Sequence, residues 1–191
     1  TENSSFPVTA GAFDTVWNNG ADAFFTKLNT TGTGLVYSTF FGGNGADKAF
    51  AVKVAANGEA FIGGETSSAN LNFPLRNSLQ GNLGTLYLAR FNAAGSDIVF
   101  STLLGTGGVK AIALDASENA FLTGETHYIQ TTPNAPQTTR GEPSSSTVPD
   151  GFVMKIGAAD ESRADYSISG TVADGTFSAD QGPVIVTVSG S

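Results

Sequence analysis

The side chains best suited to chemistry in this chain are glutamates that recur at one position of a repeated segment. Glu65 and Glu125 occupy the same place in two similar stretches, and Glu2 matches them. Two carboxyl groups about 5–10 Å apart are the arrangement that hydrolyses glycosidic bonds. Copies carried by successive repeats diverge in space, so we expect these glutamates to have a structural role.

A second repeated position carries a positive charge. Lys27, Arg90 and Lys155 stand at the same place in three successive copies of one strand-like segment. Opposite charges on neighbouring strands attract one another. We therefore predict that each cation forms an ion pair with the repeated glutamate, for example with Glu65 or Glu125.

Metal and nucleophile chemistry has little support in the residue types. The chain has no cysteine, and His127, its single histidine, follows a predicted strand in a loop. A zinc site needs several such ligands. The tip Asn44-Gly-Ala-Asp47 offers the oxygen atoms that calcium prefers, but its low acidic density favours a plain turn. We predict no catalytic residue, no metal, no cofactor and no enzyme activity.

The composition limits the partners and the secondary structure. Lys and Arg number 9 against 17 Asp and Glu, a formal charge of −8 over 191 residues. Such an acidic chain lacks the basic surface that nucleic acid or anionic lipid requires. No apolar stretch reaches the roughly 20 residues of a membrane-spanning helix, so no membrane insertion is expected. Only 14% of residues are charged and 24 are glycine, which favours short strands and tight turns.

An internal repeat organises the chain. Residues 22–29 recur as 85–92 and again as 150–157, with starts 63 and 65 residues apart. The segments 34–42 and 60–66 also return, at 97–105 and 120–126. The spacing shortens by three residues where 42–48 becomes 105–108, a length change that a surface turn tolerates. Repeats of this length indicate a protein built from one recurring supersecondary unit.

Each repeat predicts four strands. They fall at about 22–28, 34–41, 49–55 and 60–66, then at about 85–91, 97–104, 109–114 and 119–125. Asn-Gly and Gly-rich links between them favour hairpins. Val36, Tyr37 and Phe40 place large apolar groups on both faces of one strand, as in a propeller blade sandwiched between its neighbours. The predicted fold is all-β, with repeated four-stranded antiparallel blades in a β-propeller-like, incomplete ring.

The repeat text resembles the bacterial seven-bladed β-propeller repeat (SBBP) family. The matching pattern is DAFFTKLNTTGTGLVYSTFFGGNGADKAFAVKVAANGEAFIGGETSS with the connector FPVTAGAF, and the resemblance covers residues 1 to about 157. It implies a secreted or surface-attached protein, often with Ig-like or sorting domains behind the propeller. The second copy departs from the pattern, because it lacks the Asn-Gly-Ala-Asp tip.

These observations predict three parts. Residues 1–157 hold the end of one blade, two full blades at 22–66 and 85–126, and the first strand of another at 150–156. The proline-containing connector 127–149 is predicted to be loop. Residues 158–165 form a linker, and 166–191 resemble the start of an Ig-like or carboxypeptidase-regulatory-like β segment.

The incomplete ring suggests the function. A closed propeller has about four to eight blades, and an open stack exposes apolar faces and strand edges. The chain is therefore either part of a longer one or a subunit completed by its partners. A segment suited to strand donation is uncharged and β-branched: Val184, Ile185, Val186, Thr187 and Val188.

We predict a non-enzymatic extracellular structural or interaction protein of the bacterial surface. It would assemble with itself, as a filament or surface layer, or with neighbouring domains of a longer chain. The alternative is a carbohydrate-binding or carbohydrate-active propeller, in which Trp17 stacks on a glycan. Packing of Trp17 inside or between blades is the interpretation we favour.

Overall fold

The structure, a computed structural model, describes residues 1–18, 20–69, 72–79, 84–129, 135–137 and 148–157, and the backbone of 168–173. Within these ranges the chain forms nine strands: β1 Ala23–Leu28, β2 Leu35–Phe41, β3 Asp47–Val54, β4 Ala60–Thr66, β5 Leu86–Phe91, β6 Ile98–Leu114, β7 Ala120–Ile129, β8 Asp150–Ile156 and β9 Ile168–Ala173. The predicted all-β class is confirmed. No helix of the described part has the length and apolar character of a membrane span.

The strands form two antiparallel sheets. β1 and β2 make a two-stranded hairpin, and β3 to β9 make a seven-stranded sheet in chain order. That larger sheet is curled, since β6 contacts β3 and β4 as well as its hydrogen-bonded neighbours. A curled antiparallel sheet of this kind fits a β-propeller-like fold.

β6 differs from the sequence prediction. The segments 97–104 and 109–114, predicted as separate strands, belong to one strand that pairs with β5 along 98–105 and with β7 along 105–114. Gly105 and Gly107 have φ angles of 150° and 137°, which glycine adopts without a side-chain clash. Where the first repeat has a loop between β2 and β3, the shorter second repeat therefore has a glycine-rich segment inside the continuous strand β6.

The strands stack in three layers. The first layer is β1 and β2; the second is β3, β4, β5 and residues 98–105 of β6; the third is the rest of β6 with β7, β8 and β9. Tyr87 and Phe91 of β5 pack with Phe41 of the first layer. On the opposite side of β5, Leu88 packs with Leu122 of the third layer. Two-sided covering is thus found in the second layer, whereas β2, the strand for which it was predicted, leaves Val36 53% exposed.

Asparagine-glycine turns set the hairpin register. Gly32 and Gly95 have φ angles of 70° and 66°, and each donates its N–H to an asparagine carbonyl at 3.0 Å, Asn29 and Asn92 respectively. Both asparagine side chains also accept a backbone N–H four residues further on. These positive φ values and side-chain bonds are typical of tight hairpin turns.

The Phe-Pro connectors cover one strand edge in the first layer and one in the second. The Thr9 N–H donates to Ser38 O at 3.0 Å, and the Arg76 N–H donates to Ser101 O at 3.2 Å. Ser38 and Ser101 hold the same repeat position, so in both copies the connector forms a backbone hydrogen bond to the same residue of the strand. It protects edges that would otherwise invite pairing with other chains.

The predicted Ig-like segment falls mostly outside the described residues. Its described part, β9, pairs antiparallel with β8 from Ile168 opposite Ile156 to Ala173 opposite Gly151. This strand therefore extends the repeat sheet. The proposed donor strand, Val184 to Val188, lies outside the described residues.

Candidate interaction face

The described surface carries an apolar face on the first layer that continues onto β3. We call it the open face, and its members are Phe24 (43% exposed), Leu28 (55%), Val36 (53%), Val52 (61%) and Val54 (57%). Phe24, Val52 and Val54 line one shared groove. Exposed apolar side chains that share one groove mark an interaction surface more often than scattered apolar residues do.

The repeat shows that these positions are built for burial. Tyr87 and Phe91 occupy in β5 the positions that Phe24 and Leu28 occupy in β1. Both are fully buried, at 0% exposure, under the first layer. The first layer carries the same kind of apolar surface. Phe6 of the connector packs on Phe24, with ring centroids 4.1 Å apart, but among the described residues no further layer covers Leu28 and Val36.

β3 repeats this contrast. Val52 lies opposite Ile62 in the β3–β4 pair, and Ile112 lies opposite Leu122 in the equivalent β6–β7 pair. Ile112 is partly buried against the core between the second and third layers. Val52 therefore lacks the covering that its counterpart receives.

The repeated cations do not pair with the repeated glutamates, so that prediction is wrong. Arg90 lies opposite Phe61, whereas Glu65 lies opposite Leu86 near the other end of the β4–β5 pair. The Arg90 guanidinium instead binds Glu59, with Nε to Oε2 at 2.5 Å, and Glu118, with Nη2 to Oε2 at 2.7 Å. Both acidic partners lie in turns beside the strands.

The other repeated charges also find partners outside the predicted pairs. Glu65 binds Lys48 at 2.8 Å, Glu125 binds Lys110 at 2.9 Å, and Lys155 lies 3.5 Å from Asp115. These side chains are partly exposed to solvent, where screening makes ion pairs weak. They support a structural role for the repeated glutamates and give no acid–base pair.

Two buried aspartates form a site that the sequence reasoning missed. Asp22 and Asp47 are 0% and 1% exposed. Asp47 accepts hydrogen bonds from the Gly43 N–H and the Ser68 hydroxyl, each at 2.8 Å, and from the Thr66 hydroxyl. Asp22 Oδ2 accepts the Asn18 N–H at 3.0 Å, but Asp22 Oδ1 has no hydrogen-bond partner.

The position of Gly42 shows how close the two carboxylates are. A Cβ at Gly42 would lie 2.5 Å from Asp47 Oδ2 and 3.1 Å from Asp22 Oδ1. Burial raises the pKa of Asp22, and the negative charges of Asp47 and Asp14 raise it further. The folded protein therefore binds a proton at Asp22 more tightly than the unfolded chain does.

Replacing Asp22 with asparagine is expected to stabilise the protein at pH 7 by about 1 kcal/mol, because it removes a buried carboxylate with an unpartnered oxygen. With a raised native pKa, wild-type stability falls as pH rises from the ordinary value of 3.8 through the folded value. The advantage of the variant should therefore shrink as the pH is lowered. Urea unfolding of both proteins at a series of pH values from 3.8 to 7 measures the difference in their free energies of unfolding.

The matched control is Asp97→Asn, which removes an exposed carboxylate paired with Arg76. It should give no gain at neutral pH. A loss of stability in Asp22→Asn at pH 7 would show that the carboxylate charge is itself stabilising.

The remaining predicted site residues are placed as follows. Trp17 is partly buried, and its indole N–H donates to Gly20 O at 2.7 Å. His127 is exposed and lies within β7, which runs to Ile129, so its placement in a loop was wrong. In the Asn44–Asp47 tip, the Asp47 carboxylate turns inward as described above. Within the described ranges, no group of three or more His, Asp or Glu side chains is arranged to hold a metal ion.

Comparison with known proteins does not assign the chain to a family. No family model matches the chain, and no curated protein matches it.

Proposed function

We propose that the chain is a non-enzymatic structural or interaction module of the bacterial surface, built from propeller-type repeats. It associates through its open face with further blades of the same type, in other copies of itself or in neighbouring domains. The observation that carries this proposal is the contrast between equivalent positions: Phe91 is buried at 0% and Leu28 is 55% exposed.

Burial of such a face has a clear driving force. Removing apolar surface from water contributes about 25 cal/mol per Å², and equivalent side chains already pack between the described layers. The extracellular setting rests on the resemblance of the repeat text to secreted propeller-repeat proteins. The low charge content and the many Gly, Ser and Thr residues agree with that setting.

Val36→Glu is expected to weaken self-association at least tenfold, because it places a charge on a surface that must be dehydrated on contact. Sedimentation velocity of the 191-residue chain over a wide concentration range measures the association. Val16→Glu is the matched control, since Val16 is 64% exposed and lies outside the open face. A wild-type chain that stays monomeric at every concentration would refute self-assembly.

A further inference from the structure

A groove runs between β1 and the β3–β4 hairpin. Its volume is about 460 Å³, and it is lined mainly by apolar side chains, including Phe24, Val52, Val54 and Ile62. Lys27 is the cation in this lining. The groove is the part of the open face that lies beside β1, where the first layer has no further described strand and β3 of the second layer is left uncovered.

One wall of the groove is a strand edge. Among the described residues, β1 is hydrogen-bonded as a strand only to β2. Its repeat counterparts β5 and β8 have a strand on each side, and the strand toward the preceding repeat is β4 for β5 and β7 for β8. Thr1 pairs with Asp22 just before β1, where the Asp22 N–H donates to Thr1 O at 3.0 Å. The edge of β1 itself that faces the groove is the edge to which an equivalent strand would bond.

The charged group in the groove identifies what that strand would carry. The Arg90 guanidinium lies 5.1 Å from the ring of Phe61, and the Lys155 ammonium lies 5.1 Å from the ring of Phe121. In both pairs the phenylalanine stands directly opposite the cation on the neighbouring strand. A cation and the face of an aromatic ring attract each other electrostatically.

Both counterparts also have an acidic partner, although at different distances along the chain from the phenylalanine. Glu59, two residues before Phe61, binds Arg90, and Asp115, in the turn before Phe121, lies 3.5 Å from Lys155. Lys27 has only the ring of Tyr37, 6.0 Å away on its own hairpin, and no ion pair among the described residues. It therefore lacks both the phenylalanine and the acid that its two counterparts have.

We propose that this groove binds an extended strand of a partner polypeptide, in which an acidic residue and a small residue precede a phenylalanine. The strand pairs antiparallel with β1, places its phenylalanine over Lys27 and its acid on the Lys27 ammonium, and covers Val52 and Val54. Such strand addition takes affinity from main-chain hydrogen bonds and specificity from alternate side chains. This proposal rests on the proposed function, because strand binding uses the same open face, and it names the kind of partner that the face would bind.

The test uses a synthetic peptide with the sequence of residues 57–67, NGEAFIGGETS, which carries the Glu-Ala-Phe pattern of β4. Fluorescence anisotropy of the labelled peptide with the 191-residue chain measures binding. Saturable binding is expected, with slower amide hydrogen exchange at residues 23–28. Substituting the peptide phenylalanine by alanine should weaken binding about tenfold.

Lys27→Glu should weaken binding of this peptide by about tenfold or more, and a peptide with lysine at the position of Glu59 should regain affinity for that variant. Lys53→Glu is the control, since Lys53 is also an exposed lysine on a strand but does not line the groove. Circular dichroism establishes that each variant is folded. No saturable binding, or binding that Lys27→Glu leaves unchanged, overturns the proposal.

The two proposals fail separately. Peptide binding by a chain that stays monomeric upholds strand docking and refutes self-assembly. Self-association that is sensitive to Val36→Glu, without peptide binding, upholds the assembly and refutes strand docking. Val36→Glu distinguishes the two proposals because Val36 lies on the open face but does not line the groove.

Discussion

Replacing Phe91 with alanine is expected to lower the free energy of unfolding by about 3–5 kcal/mol. Phe91 is fully buried, and its ring centroid lies 4.5 Å from that of Phe25, 5.2 Å from that of Phe41 and 5.6 Å from that of Phe13. It thus joins the connector, the first layer and the second layer. Truncation removes the aromatic contacts and leaves a cavity that rigid strands cannot close.

Urea unfolding followed by circular dichroism measures this loss. Leu28→Ala is the control, because Leu28 holds the same repeat position in β1 but is 55% exposed. It should cost about 1 kcal/mol or less, since little buried surface is lost. Equal losses at the two positions would mean that the open face is covered in solution.

Gly64→Ala is expected to destabilise the protein by about 3 kcal/mol through overpacking. A Cβ at Gly64 would lie 2.9 Å from both the Lys48 carbonyl carbon and Tyr87 Oη, and nearer still to the Lys48 carbonyl oxygen. The hydroxyl of Tyr87 donates to that same oxygen at 3.1 Å. The methyl group must therefore displace the β3 backbone and break this hydrogen bond.

The repeat offers a second measurement of the same effect. At Gly124, which matches Gly64, a Cβ would lie 3.1 Å from the Gly108 carbonyl carbon and from the Lys110 nitrogen. Gly124→Ala should therefore also destabilise. Gly157→Ala is the control, because its Cβ would meet nothing nearer than 3.6 Å. Thermal unfolding of the three variants compares them, and similar midpoints for all three would contradict the steric argument.

The strands were predictable because they rest on local signals. Recurring segments bounded by Asn- and Gly-rich turns placed β1, β2, β4, β5 and β8 within one or two residues. The repeat located the three-residue deletion, but not its consequence. Whether a shortened turn becomes a loop or a continuous strand depends on what β5 and β7 offer as partners, and that is a long-range property.

The site residues were less predictable, since charges choose partners by three-dimensional distance. The equivalence of Lys27, Arg90 and Lys155 was evident from the repeat, but their neighbours were not. Arg90 meets Phe61 and Glu59 because β4 and β5, from different repeats, pair in one particular register. Burial of Asp22 likewise depends on the packing of the loop that contains Gly42, which is distant in sequence.

Composition and the repeat, taken by themselves, determined that this is an all-β chain of recurring hairpins. Those conclusions follow from turn chemistry and strand propensity, which act over a few residues. Only the tertiary structure decided which apolar positions are covered, because burial is a property of layers and not of strands. The same repeat position is core in β5 and open surface in β1, and that difference marks the face through which we propose the protein acts.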